Sequence, residues 1–233
     1  GGNWTGTPAF DPLAGYVRLD GAGAKTVSGS PTFYHLEVRD GVKTFTAPAH
    51  VKGNVNVVSG TLDADAALSV DGAVTVQGSA NFDAGVATHR VALDWTSSAA
   101  GAAVTGTGTV EFTGNGTTST GASSLPNMLV SGGNRVMYDS NVTGNLSMTG
   151  GSFAVYDSHT VTVQGSASFT GGVFTGNYEY NSPQILDVNG DFYMGATCSD
   201  LSADAWIYCA GNWSATTAFN PHAGYVSLRG TGA

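Results

Sequence analysis

The end of this chain repeats its beginning. Residues 2–24 read GNWTGTPAFDPLAGYVRLDGAGA and residues 211–233 read GNWSATTAFNPHAGYVSLRGTGA, with 15 of 23 positions identical at an offset of 209 residues. Self-similarity at a fixed offset is the mark of a repeat architecture, in which each unit buries its apolar surface only against its neighbours. The expectation is a tandem array that continues in both directions, with copies joined end to end in one polypeptide or between protomers.

A shorter period lies inside the long one. The segment GYVRLDGAG at 15–23 recurs as GTVEFTGNG at 108–116 and as GYVSLRGTG at 224–232, so steps of 93 and 116 residues alternate. This divides the chain into the end of a preceding module (1–14), a first module (15–107), a second (108–223) and the start of another (224–233). In the first module, apolar centres fall at Val17, Leu36, Val55, Val74 and Leu93, each nineteen positions after the last. In the second they fall at Leu129, Leu146, Val161, Leu186, Tyr208 and Val226, and the widest gap holds GGVFTGNYEYNSPQ at 171–184, read as a loop. Five beats and six give eleven in one 209-residue repeat, or nineteen positions per beat. GNV at 53–55 matches GNL at 144–146, and VTVQGSA at 74–80 recurs unchanged at 161–167.

Each beat carries a short alternating run such as Val74-Thr75-Val76, with β-branched residues and flanking Gly or Asn. Alternation with period two between turn residues is strand patterning. No capped apolar face of helix length occurs, and 34 glycines disfavour helix throughout. The predicted fold is all-β: a right-handed parallel β-helix, or β-solenoid, of about 19 residues per coil, in which equivalent strands of successive coils stack. Tandem β-sandwich modules are the alternative, since modules near 100 residues suit them too. Resemblance from beat to beat favours the solenoid, because sandwich strands have no reason to resemble one another.

The succession GNWT…AF, GYVRLDGAGAKTVSGSPTFYHLEV, VKGNVNVVSGTL and LSVDGAVTVQGSANF resembles the Gly/Asn/Thr-rich tandem repeats of long bacterial surface and secreted proteins, among them adhesin-like β-helix proteins. The resemblance spans the whole chain and rests on patterning. It implies an extracellular array used for attachment, a sheath or a filament. The alternation of unequal 93- and 116-residue modules departs from a uniform repeat.

Composition agrees. Eight basic and 17 acidic side chains give a net charge of −9, with only 11% of residues charged. A nucleic-acid partner held by phosphate electrostatics is thereby disfavoured, as is a basic membrane patch. No apolar run reaches the length of a membrane-spanning helix.

Cys198 and Cys209, 11 residues apart, are expected to form a disulfide in an oxidising compartment, closing a loop worth roughly 3 kcal/mol. The bland alternative is two buried thiols. Asn-X-Ser/Thr sequons at Asn3, Asn115, Asn141, Asn145 and Asn212 are candidate glycosylation sites. The same asparagines suit solenoid corners, where side-chain amides can form ladders. Trp4, Trp95 and Trp213 precede the repeated signature at comparable distances and read as one packing position repeated. Tyr178 and Tyr180, inside the predicted loop, are candidate surface contacts for a glycan or a neighbouring protomer.

Catalytic chemistry finds little purchase. Asp63, Asp65 and Asp71, and Asp200 with Asp204, are candidate carboxylates for acid–base work or calcium, but they read better as solvated turn residues. His35, His50, His89, His159 and His222 show no pairing with Ser, Cys or acidic partners. Thr75, Thr109 and Thr162 sit in different contexts, against a regular threonine ladder of the kind an ice-binding face needs. The sequence therefore points to a non-enzymatic, cofactor-free stalk, sheath or filament that is secreted or on the cell surface and serves in adhesion. The alternative is a carbohydrate-binding or carbohydrate-cleaving β-helix.

Overall fold

A computed structural model of the chain describes residues 2–6, 13–97, 99–176, 183–201, 205–216, 219 and 224–230. Among the described residues all regular structure is strand, and no helix is long and apolar enough to cross a membrane. Every strand pairing is parallel. The chain winds into the predicted β-solenoid, its sheets give it a triangular cross-section, and the sandwich alternative does not describe it.

Each coil crosses three faces in fixed order. Face I is a ten-stranded sheet running from Tyr16–Leu19 to Cys198–Leu201. Face II is a six-stranded sheet from Trp4–Thr5 to Ala103–Thr105, continued by a five-stranded sheet from Ser140–Val142 to Tyr225–Leu228. Face III is a ten-stranded sheet from Thr32–Phe33 to Trp213–Ala215.

The strands form where they do because three-residue alternation suits a side this short. In Val74–Val76 both valines point inward and Thr75 outward, and Val55–Val57 and Leu68–Val70 repeat the pattern. Stacking then sets like upon like. On face III an unbroken buried column descends from Phe33 through Val51, Val70, Val91 and Phe112 to Met194. Each such side chain removed from water contributes roughly 1.5–3 kcal/mol.

Glycine at the corners answers a steric demand. At the corner entering face I, Gly133, Gly151 and Gly172 stack with φ of +64°, +72° and +90°, and a Cβ on Gly151 would collide with the Gly133 carbonyl. Only glycine accepts both the left-handed backbone and the close approach of the coil above.

The beat is held and then broken. Leu36, Val55 and Val74 stack nineteen positions apart on face I as predicted, but Val74 pairs with Trp95, and Leu93 is 46% exposed at the corner. In the second module the inward column on face II is Val161, Leu186 and Ile207, buried, and Val226, half-buried, so Tyr208 is one residue out of it and points outward. Leu129 and Leu146 belong to face III, where Leu146 pairs with Met128. The predicted series thus passes from one face to another, which inflated the count. From Trp4, face II is met again ten times before Trp213 is reached on the next face, giving ten and one-third coils of about twenty positions each instead of eleven. Within the predicted 171–184 loop, Gly172–Gly176 is a strand on face I and Gln184 begins another on face II.

The first sheet of face II ends at Ala103–Thr105, and no strand pairing among the described residues joins it to the second. Leu125 opens the second sheet with an isolated bridge to Val142. The adjacent corner is held by hydroxyls: buried Trp95 donates from Nε1 to Ser97 Oγ at 3.1 Å, and Ser123 Oγ lies 2.7 Å from the same oxygen and donates to the Ser97 carbonyl at 2.8 Å.

Candidate functional surface

Because inward positions are filled by the core, function must use outward columns and corners. On face I, Glu37 receives Arg18 at 2.6 Å and Arg39 at 2.7 Å; burial would raise its carboxyl, but the two guanidinium partners outweigh that and hold it low. On face III the outward column contains His50, Ser69, Arg90 and Glu111 in register. Arg90 Nε lies 2.8 Å from Glu111 Oε2, and Ser131 Oγ donates to Glu111 Oε1 at 2.7 Å. His50 Nε2 is 2.9 Å from Asp71 Oδ2, an acidic pairing that sequence spacing missed because the partners lie one coil apart.

These residues border an open groove of about 540 Å³ lined by Ser30, Pro48, His50, Ser69, Thr88 and Arg90. It offers hydroxyls, one imidazole and one guanidinium to a ligand. Ser69 is beside His50 in register, yet the imidazole nitrogen facing Asp71 is committed there, and no hydrogen bond joins Ser69 to His50 among the described residues. The geometry is that of a mixed contact surface, with Pro48, Ala49, Ala67 and Leu68 supplying apolar area beside these polar groups.

Among the described residues three basic groups lie inside the coil. Lys43 is 2% exposed and its Nζ donates to the carbonyls of Gly21 at 2.8 Å and Asp40 at 2.6 Å; burial lowers its pKa. Arg135 is fully buried, donates to the carbonyls of Leu93, Gly114 and Thr117, and has its pKa pushed down by burial to about 10. His89 Nε2 donates to the Ala84 carbonyl at 2.9 Å while Nδ1 accepts from the Leu68 N–H, so burial keeps the ring neutral by lowering its pKa. All three tie off corner carbonyls that the coil would otherwise bury unpaired.

The cysteines correct an expectation. Cys198 and Cys209 are buried thiols with no disulfide between them. Stacked positions lie one whole coil apart, whereas the spacing of these two cysteines is only about half a coil. Cys198 therefore begins a strand of face I and Cys209 ends a strand of face II.

The asparagines are corner rungs. At the entrance to face III, the side-chain oxygens of Asn127, Asn145, Ser166 and Asp191 each accept the backbone N–H of the equivalent residue one coil on, at 2.7–3.1 Å, ending at Asn212. Asn3 accepts from Thr26 and Asn115 from Asn134 in the same way. A glycan on Nδ2 leaves Oδ1 available, so these exposed rungs are chemically compatible with attachment. Asn141 differs: it is half-buried, and its Nδ2 donates to the Gly121 and Ser123 carbonyls.

The remaining candidates separate. Asp63 and Asp83 face each other in register, and burial with the charges of Asp65 and Asp83 raises the Asp63 pKa against the Thr44 hydrogen bond. Asp71 is with His50, Asp200 is on the strand Cys198–Leu201, and Asp204, His222, Tyr178 and Tyr180 lie outside the described residues. No group of three or more His, Cys, Asp or Glu able to hold a metal occurs among the described residues. His35 Nδ1 accepts from the Asn54 N–H, and His159 Nδ1 is 3.2 Å from Asp139 Oδ1. Thr75, Thr109 and Thr162 fall on faces I, III and II respectively, so these three form no common ladder.

One surface feature escaped sequence reasoning. On face II, Trp206 and Tyr208 point outward beside Tyr225, with ring centroids 4.7 Å apart for Trp206 and Tyr225, and a 2.6 Å hydroxyl contact between the tyrosines. Arg229 lies over the Tyr208 ring at 3.4 Å and reaches Asp187. The period-two placement of aromatics in AWIYC was the available signal.

The comparisons with known proteins return nothing: no family model, no curated protein and no solved structure matches the chain.

Proposed function

We propose that this chain is a segment of an extracellular or cell-surface repeat protein whose coils build a rigid stalk, sheath or filament, with adhesion as its use. The observation that carries this reading is that the second sequence copy adds to the same stack as the first, without a linker. Trp213–Ala215 pairs in parallel with Phe192–Met194, and Tyr225–Leu228 with Ala205–Cys209. Copies can therefore follow one another in line, each supplying the strands that cover the last. The resemblance to bacterial adhesin-like repeats, the low charge and the polar Asn/Ser/Thr corners support an exterior setting. The partner is the next copy of the repeat, and glycans or cell surfaces are the targets.

Stacked at the strand spacing of about 4.8 Å, ten and one-third coils advance roughly 50 Å per 209 residues. Electron microscopy of a chain bearing several contiguous copies tests this. Straight rods that lengthen by this amount with each added copy support it. Beads on a string, or a rise of about 35 Å or about 80 Å per copy, would refute it, because either rise demands a different number of stacked strands.

A second reading, carbohydrate binding, is favoured by the outward aromatic faces of Trp206, Tyr208 and Tyr225 with the Arg229–Asp187 pair beside them. Aromatic planes edged by polar groups suit a sugar ring. Glycan-array binding that Trp206→Ala abolishes supports it, and an unchanged array profile in that variant removes it.

A further inference from the structure

The sequence repeat and the coil are out of phase. Trp4–Thr5 lies on face II, whereas its copy Trp213–Ala215 lies on face III. Tyr16–Leu19 lies on face I, whereas its copy Tyr225–Leu228 lies on face II. Both copies have advanced by one side of the triangle. The intermediate signature strand Thr109–Phe112 is on face III, so one signature visits all three faces in the order I, III, II. The 93-residue step makes four and two-thirds turns and the 116-residue step five and two-thirds.

The three sides tolerate this exchange because each is the same device: a short strand with inward apolar residues, entered at a corner whose side chain bonds to the next coil. The corner role itself travels with the sequence. Asn3 accepts the Thr26 N–H at the entrance to face II, while its copy Asn212 stands at the entrance to face III.

We infer that successive copies of the 209-residue repeat join through a junction rotated by one third of a turn, so that the surface of each copy is displayed on the three faces in turn. This rests on the rod reading above and specifies its partner surface: the next copy of this chain's own repeat, received on the edge formed by Trp213–Ala215 and Tyr225–Leu228. The first copy shows what arrives there. Trp4 is in register with Val27, and Tyr16 stacks on His35 at 4.5 Å. The next copy's equivalents of Val27 and His35 cover Trp213 and Tyr225, the latter extending the Trp206–Tyr225 stack. Its equivalent of Thr26 donates to Asn212. Three copies, 627 residues and roughly 150 Å, restore the starting orientation. A rod built this way presents every surface feature around its whole circumference, which suits contact with a target approached from any side.

The test uses a chain of four contiguous copies with Val86→Cys in each, a position 84% exposed at a corner, labelled with maleimide-gold while Cys198 and Cys209 stay buried. Cryo-electron tomography should show one gold particle per copy at intervals of about 50 Å along the rod. Each should be turned by one third of a circle from the last, with the first and fourth eclipsed. Leu93→Cys gives an independent label should Val86→Cys disturb the fold. Gold along one side, or alternating between two sides, on a straight rod with the same spacing would overturn the one-third turn alone. Particles without a common axis would overturn the rod reading along with it.

Discussion

The Arg135 guanidinium lies over the Phe112 ring, 4.1 Å from its centroid, fully buried inside the coil. Its N–H groups close three carbonyls from two adjoining coils, that of Leu93 in one and those of Gly114 and Thr117 in the next. Arg135→Met keeps apolar bulk and strands those carbonyls, and charge-assisted hydrogen bonds of this kind are worth about 1.5–3 kcal/mol. The expected loss in denaturant unfolding is on the order of 3 kcal/mol. Arg135→Lys should recover little, because a point ammonium cannot span three acceptors. A methionine variant as stable as the parent would show that the carbonyls find other partners.

His89 makes stability depend on pH. Its folded pKa is depressed below 6.5 by burial, so the unfolded chain binds the proton more readily. Its contribution is present above about pH 6.5 and is lost as pH falls through the range below. Unfolding free energy should therefore drop between pH 7.5 and 5, and the drop should shrink in His89→Gln. Equal pH slopes in the two proteins would contradict this assignment.

Gly151→Ala is expected to cost on the order of 2–3 kcal/mol, since a left-handed backbone and a blocked Cβ position coincide there. Gly78→Ala is the control: its φ is +51°, but open space surrounds the added Cβ. It should cost only about 1 kcal/mol. Thermal unfolding of the pair separates steric contact from backbone strain, and equal losses would mean that coil-to-coil contact at this corner contributes nothing.

Cys198 and Cys209 should behave as shielded thiols. Intact mass should not change with reductant, and a thiol reagent should react only after denaturant is added. A gain of two protons on reduction would restore the clip expected from the spacing.

The sequence by itself determined the class of structure. Period-two runs such as Val74-Thr75-Val76, glycines at regular intervals and the recurrence of residues 2–24 at 211–233 require short stacked strands, because each local choice favours the same answer. The nineteen-position beat was legible wherever coils were uniform, at Leu36, Val55 and Val74. What the sequence left undetermined was which side of the triangle each run occupies. VTVQGSA serves on face I at 74–80 and on face II at 161–167, and nothing in those seven residues distinguishes the two. Face identity is set cumulatively, by how many corners precede a strand, so a single irregular corner such as that near Trp95 shifts everything after it. Only the stacked structure counts those corners. For the same reason it alone brings Asp71 to His50, Glu111 to Arg90 and Trp206 to Tyr225, pairs about one coil apart, and places Cys198 and Cys209 on different faces of a single coil.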